Sequence, residues 1–252
     1  MSTKYFILTK PPDSPVNDNG RNQIIYTNNL QSFILPEINL DYYYKRGLFE
    51  SSLIEWCKQF CSKDGLFLDI GAHTGTYSIS LAQHCKTVFS FEPQRMTYYA
   101  LCGSVALSNI NNIHCFQIGL GSLDQVGKTQ LRIRSNDGGG SSICNIDNAE
   151  ILAEEEIIVQ SLDGFFEMQD NENLPPIEFI KMDVEYNELN VLKGAIHTLQ
   201  KNNYPTILLE ANTDSELNKD LFDFLENVLY YKVVSINGYN NMFLAVRKKI
   251  SL

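Results

Sequence analysis

The chain has 252 residues, 44% of them hydrophobic and 20% charged, with a formal net charge of −10 at pH 7. That length accommodates one α/β domain with a short extension, and the acidic balance opposes a phosphate-tracking surface, so neither nucleic acid nor an anionic membrane is an expected partner. No apolar run reaches membrane-spanning length, the patch at residues 5–8 is too short for a leader, and none of the six cysteines forms a C-x-x-C pair, so a reduced, cytoplasmic chain is expected.

Residues 1–47 read as an N-terminal arm, with Pro11-Pro12-Asp13-Ser14-Pro15 extended and Ile24-Ile25-Tyr26 as one short strand. A single α/β unit of residues 48–252 follows. Over residues 48–60, Phe49, Leu53, Trp56 and Phe60 give an amphipathic helix. Leu66, Phe67, Leu68 and Ile70 form an apolar run suited to a strand buried on both faces. Gly71 and Gly75 then make a turn, and Tyr77 with Leu81 and Ile79 with Ala82 begin a helix. Residues 87–91 are a second strand, ended by Glu92-Pro93 because proline cannot continue a central strand. A helix over 94–107 places Met96, Tyr99, Ala100 and Leu107 on one side, and residues 113–118 are the third strand.

Residues 119–174 read as an insertion, with edge-like strands at 130–134 and 157–160 around a mobile Asp137-Gly138-Gly139-Gly140-Ser141-Ser142 loop. A fourth strand covers 177–184, a helix 188–200, and a fifth strand 204–211. A last helix carries Leu217, Leu221, Phe224, Leu225 and Val228, before an antiparallel hairpin around Asn237-Gly238. Strand–helix alternation of this kind gives a doubly wound, mostly parallel Rossmann-like sheet.

Ligands of such sheets bind outside the carboxyl ends of the strands, where strand order reverses. Four of the five tips are acidic, at Asp69, Glu92, Asp183 with Glu185, and Glu210, while Gly119-Leu120-Gly121 makes room at the other. The glycine turn reads Asp69-x-Gly71-x-x-x-Gly75, not the G-x-G-x-x-G of a pyrophosphate binder. An acid closing the strand and a looser turn suit a cationic ligand, of which S-adenosylmethionine, a sulfonium with an ammonium-bearing tail, is an example.

Taken together, the stretches Phe67-Leu68-Asp69-Ile70-Gly71-Ala72-His73-Thr74-Gly75, Phe89-Ser90-Phe91-Glu92-Pro93, Asn109-x-x-Asn112-Ile113, Ile180-Lys181-Met182-Asp183-Val184-Glu185-Tyr186-Asn187-Glu188, Leu192-Lys193-Gly194-Ala195 and Ile207-Leu208-Leu209-Glu210 resemble the FkbM family of S-adenosylmethionine-dependent methyltransferases, over about residues 47–211. The resemblance implies a class I methyltransferase fold and methyl transfer to a hydroxyl, on a sugar or glycan. It implies that Glu92 accepts the cofactor ribose hydroxyls, that Gly71, His73 and Gly75 form the cofactor turn, that Asp69 orients this turn or reaches the methionine amino group, and that Gly119 and Leu120 lie near the adenine. Asp183 and Glu185 are the catalytic candidates, as a base for the attacking hydroxyl or as ligands sharing a divalent cation. Glu188 reads as a helix-start acid.

Two positions depart from the family pattern: His73 stands where Asn is usual, and Tyr186 where Gly is usual. The Tyr186 phenol either re-lines an acceptor pocket or points to solvent. Ser141 and Ser142 are an acceptor-binding edge or a plain loop tip. The other reading of the whole is a non-catalytic nucleoside-binding or assembly protein that keeps the fold.

Overall fold

A computed structural model describes residues 5–10, 31–146, 149–169, 174–213 and 215–248. In chain order, β1 (Tyr5–Lys10) and β2 (Gln31–Pro36) pair antiparallel and lead to α1 (Leu40–Arg46) and α2 (Ser51–Cys57). Next come β3 (Leu66–Ile70), α3 (Thr76–Leu81), β4 (Thr87–Phe91), α4 (Arg95–Leu107) and β5 (Ile113–Phe116). The insertion holds β6 (Gly119–Leu120), β7 (Gly127–Ile133) and β8 (Ala153–Gln160), followed by α5 (Leu162–Glu167). The second half holds β9 (Ile177–Met182), α6 (Glu188–Lys193), α7 (Ile196–Lys201), β10 (Thr206–Glu210), α8 (Leu221–Asp223), β11 (Tyr231–Ser235) and β12 (Met242–Arg247). The strand expected at Ile24-Ile25-Tyr26 lies outside the described residues.

The main sheet has the order β5-β4-β3-β9-β10-β12-β11. Neighbours from β5 to β10 pair parallel, and β12 runs antiparallel to both β10 and β11. The order reverses between β3 and β9, so their carboxyl ends flank the cleft that a doubly wound sheet offers to ligands. Side chains alternate across each strand. Leu66, Leu68 and Ile70 face a core layer with Ile180, Met182, Ile207 and Leu209, under α5, α6 and α7. Phe67 and Phe179 face the other layer, their rings stacked at 5.2 Å, among Ile79, Val88 and Leu208. Asp69 and Lys181 follow the same alternation and are directly paired across β3 and β9. This puts a carboxylate and an ammonium, with the buried hydroxyls of Ser90 on β4 and Ser78 on α3, on a face that elsewhere packs apolar side chains.

Within the N-terminal segment, β2 packs into the core, while residues 11–15, expected as extended, lie outside the described residues. Phe33 and Leu35 of β2 are fully buried in the second layer. The Ser32 and Ile34 amides donate to Ser108 Oγ and Ser104 Oγ at 2.8 Å each. That docking explains why the buried side of α4 differs from the expected one. Thr97, Ala100, Leu101 and Ser104 are buried, while Met96, Tyr99 and Leu107 are exposed. A strand backbone lies against small and hydroxyl residues there, and apolar periodicity does not detect such a face. Similarly, α2 buries Leu53, Ile54 and Cys57 but leaves Trp56 partly exposed against Phe60, and Phe49, which precedes the helix, is partly exposed against Tyr42.

The single helix expected over 188–200 is two, broken at Gly194-Ala195. A side chain on Gly194 would overlap the Gly121 carbonyl, and Asp163 caps α7 by accepting from the His197 and Thr198 amides at 3.1 and 2.7 Å. In the insertion β7 and β8 pair antiparallel and β6 and β8 parallel, with Leu131, Ile157 and Val159 as their own small core.

Candidate active site

A cavity of about 330 Å³ opens over the carboxyl ends of β3, β4, β9 and β10, a size in the range of small-ligand sites. One end is apolar, formed by Phe91, Pro93, Ile118 and Leu120 with Leu131 and Val159 of the insertion sheet. The other end is acidic and aromatic, formed by Tyr43, Glu50, Asp183, Glu185 and Glu210. Gly71, His73, Glu92, Gly119, Leu120, Ser141, Ser142, Asp183 and Glu185 all line it. Asp69, Gly75 and Tyr186 do not line it.

The glycine turn is built by close approach. Gly71 has φ +75°, and a Cβ there would overlap the Asp183 carbonyl oxygen, so only glycine allows β3 and β9 to meet at this point. Asp69 does not face the cavity, because it is fully buried on the layer side of β3. Its Oδ2 accepts from the Ser78 amide at 2.9 Å and from the Ser78 hydroxyl at 2.5 Å, which fastens the first turn of α3 behind the glycines. It orients the turn from behind. Burial raises the Asp69 carboxyl above the ordinary carboxylate range, with Lys181 and Ser78 acting against that.

Glu92 sits at the tip of β4, where Pro93 ends the strand. Its carboxylate accepts from the His73 amide at 2.8 Å, the Gln94 amide at 2.9 Å and the Thr97 hydroxyl at 2.9 Å. Burial raises its pKa, and His73 and these donors oppose the rise. The fixed carboxylate therefore sets the shape of the glycine turn while lining the cavity. His73, at φ +51°, turns its ring outward, and Nε2 donates to the Asp137 carbonyl at 2.7 Å.

That contact begins a set of ties holding the 137–142 loop, which was expected to be mobile. Asn39 donates to Asp137 Oδ2 at 2.7 Å, Ser141 Oγ to Gln94 Oε1 at 3.2 Å, and the Gly140 amide to Glu185 Oε1 at 3.0 Å. Ser142 is buried and gives its hydroxyl to the Glu185 carbonyl, so it bears on the site through the backbone.

At the β9 tip the two carboxylates differ. Asp183 is ion-paired with Lys181, Nζ to Oδ2 at 3.1 Å. Glu185 has no cationic partner among the described residues, and burial followed by repulsion from Asp183 raises it to about 7. Glu210, at the β10 tip, is raised to about 7 by burial and by Asp183, Glu185 and Glu50. Glu188 is fully enclosed at the start of α6, accepts from the Val184 amide at 3.1 Å, and is raised to about 8 by burial. Among the described residues no group of three or more His, Cys, Asp or Glu could hold a metal ion.

Tyr186 has φ +75°, and its phenol is half-buried outside the cavity wall. A left-handed conformation costs an L side chain about 1–2 kcal/mol. Tyr186→Gly is therefore expected to raise the melting temperature by about 2–8 °C without changing ligand affinity, as a thermal melt and a binding titration would show.

Sequence reasoning gave no role to Lys181, Glu50, Asn39 or Tyr43. Lys181 carried a signal, a lone ammonium in the strand Ile-Glu-Phe-Ile-Lys-Met, where charge is expected only with a partner. The N-terminal residues carried none, since their place depends on the docking of β2.

A comparison with curated protein sequences gives no match. Among solved structures, the chain is similar to the precorrin-6y C5,15-methyltransferase of Geobacter metallireducens GS-15 (13% identity, TM-score 0.46, 80% of this chain and 90% of that one). It is also similar to the O-methyltransferase of Bacillus cereus in complex with SAH (12%, 0.47, 78% and 79%). A third is a SAM-dependent methyltransferase of Aquifex aeolicus (11%, 0.41, 76% and 85%). The model of the methyltransferase FkbM domain matches residues 69–239, which run from the acid closing β3 to the final hairpin and include every strand tip described above. The chain belongs to the FkbM family of methyltransferases.

Proposed function

We propose that this protein is an S-adenosylmethionine-dependent O-methyltransferase acting on a hydroxyl of a sugar or glycan, with Glu185 as the base. The observation that carries the reading is the convergence of three features on one cavity: the Glu92 carboxylate, the Gly71 backbone that no side chain screens, and the Asp183–Glu185 pair.

The residues fit the cofactor. With Oε1 taking the Gln94 and Thr97 donors and Oε2 the His73 amide, Glu92 retains one lone-pair site, on Oε2, for a ribose hydroxyl. The Gly71–His73 backbone forms the turn beside it, and Ile118, Gly119 and Leu120 with Pro93 give an apolar slot for a purine. When bound, S-adenosylmethionine supplies an electrophilic methyl group on a sulfonium. The chain's part is to align the acceptor oxygen and take its proton, and alignment alone is worth on the order of 7–11 kcal/mol in favourable intramolecular models. Glu185 suits the proton transfer because a base is most effective when its pKa lies near the working pH. Asp183 suits it less, being engaged by Lys181. The same ion pair argues against a divalent cation shared by the two carboxylates, since one of them is already neutralised.

Residues 48–252 are read as the methyltransferase domain, with Asn39 and Tyr43 of the preceding segment adding part of the wall. The acidic net charge supports a small-molecule or glycan acceptor over nucleic acid, and the six free cysteines support a reduced, cytoplasmic setting. No helix among the described residues is long and apolar enough to cross a membrane.

Calorimetry with S-adenosylmethionine and S-adenosylhomocysteine, followed by labelled-methyl transfer to a panel of sugars, tests the reading. Binding of both and labelling of a sugar hydroxyl is expected. Failure to bind either sinks it, and binding without transfer would favour the non-catalytic nucleoside-binding protein. That alternative rested on Tyr186, which stands outside the cavity wall.

A further inference from the structure

Lys181 is 5% exposed and lines the cavity floor between the glycine turn and the β9 tip. It donates to the Gly71 carbonyl at 3.0 Å and to Asp183 Oδ2 at 3.1 Å, and it stands 5.5 Å from the centroid of the Tyr77 ring. It is also the direct cross-strand neighbour of Asp69 on the same face of the sheet. One charge thus contacts the cofactor turn on β3, the carboxylate at the β9 tip, and a ring whose hydroxyl donates to Glu50 at 2.6 Å. A buried ammonium is costly unless it is paired, and here removing it would leave Asp69 and Asp183 uncompensated in the same layer.

We propose that Lys181 is a positioning residue that locks the glycine turn and Asp183 in one register, so that the cofactor turn and the acceptor-side carboxylates are held as a unit. The proposal rests on the methyltransferase reading for what that unit holds. Its two hydrogen bonds do separable things. The bond to Gly71 fixes the backbone that passes the cofactor, at the point where β3 and β9 come too close for any Cβ. The bond to Asp183 fixes a carboxylate, and the positive charge limits how strongly the neighbouring acids repel one another. Burial acts to lower the Lys181 pKa, but Asp183 and Asp69 outweigh it, so the ammonium stays charged across the working range. Lys181 in turn acts to lower both Glu185 and Glu210.

Two variants separate the roles. K181M keeps the aliphatic stem and removes both donor and charge, whereas K181Q removes the charge but offers an amide donor to the Gly71 carbonyl from a side chain one atom shorter. The readouts are S-adenosylhomocysteine affinity by calorimetry and the Glu185 titration midpoint, followed by carboxyl carbon NMR and assigned with E185Q. K181M is expected to weaken the ligand by about tenfold or more, and K181Q by less than about threefold. Both should move the Glu185 midpoint upward, which loss of packing alone would not do. Unchanged affinity in K181M, or an unmoved Glu185 midpoint in either variant, overturns the proposal. If K181M does not fold, the midpoint in K181Q decides. Wild-type protein that binds no S-adenosylhomocysteine would fail the methyltransferase reading, while the Glu185 titration would still judge the clamp.

Discussion

Glu92→Ala is expected to lose S-adenosylhomocysteine affinity by about tenfold to a hundredfold, because a charge-assisted hydrogen-bonding partner is worth roughly 1.5–3 kcal/mol. The expectation has two sources. The carboxylate faces the cavity where ribose hydroxyls are proposed to bind, and it holds the turn itself through the His73 amide, the Gln94 amide and the Thr97 hydroxyl. Truncation leaves the His73 and Gln94 amides without their acceptor, while the Thr97 hydroxyl keeps the Gln94 carbonyl, so the melting temperature should fall as well, by about 4–8 °C for a loss of some 2 kcal/mol. Glu92→Gln separates the two sources. Its amide oxygen can still take the Gln94 and Thr97 donors, but its NH₂ group opposes the His73 amide. It should therefore fall between wild type and alanine in affinity while melting closer to wild type. A Glu92→Ala protein that binds within threefold of wild type would remove Glu92 from the ligand site.

The strand tips were legible because they obey two local rules. A buried parallel strand reads as a short apolar run, and the polar residue that ends it stands where the chain leaves the core. Asp69, Glu92, Asp183 and Glu210 all announced themselves in this way. The rules do not say which way a tip residue points. Asp69 has the same alternation as Phe67, so it turns into the layer beneath α3, while the backbone of the next turn residue faces the cavity. The side of α4 that packs was hidden for a related reason. Its partner is the backbone of β2, and serine hydroxyls satisfy a strand edge better than leucines would. The walls that Asn39, Tyr43, Leu131 and Val159 bring to the cavity come from segments far apart in sequence, and only docking brings them together.

Glu185→Gln is expected to lower turnover by about 10²–10⁴-fold with whichever sugar accepts methyl, the usual range for loss of a general base. Cofactor affinity should stay close to wild type, because the glutamine oxygen can still accept the Gly140 amide that meets Oε1 at 3.0 Å. The pH profile supplies a second check. A base works when deprotonated, so with Glu185 raised to about 7, kcat/KM in wild type should climb as pH passes through about 7 and then level off. Glu185→Gln should abolish that limb. Asp183→Asn should act differently, since Asp183 is one of the causes that raise Glu185. Removing its charge also frees Lys181 to act on Glu185 without compensation, and both changes favour the ionised carboxylate. The rising limb should therefore move to lower pH, with turnover reduced less than in Glu185→Gln and ligand affinity spared, because Lys181 still holds the Gly71 carbonyl. The opposite ranking, with Asp183→Asn inactive and Glu185→Gln retaining its rising limb, would assign the proton to Asp183 and make Glu185 the neighbour that tunes it.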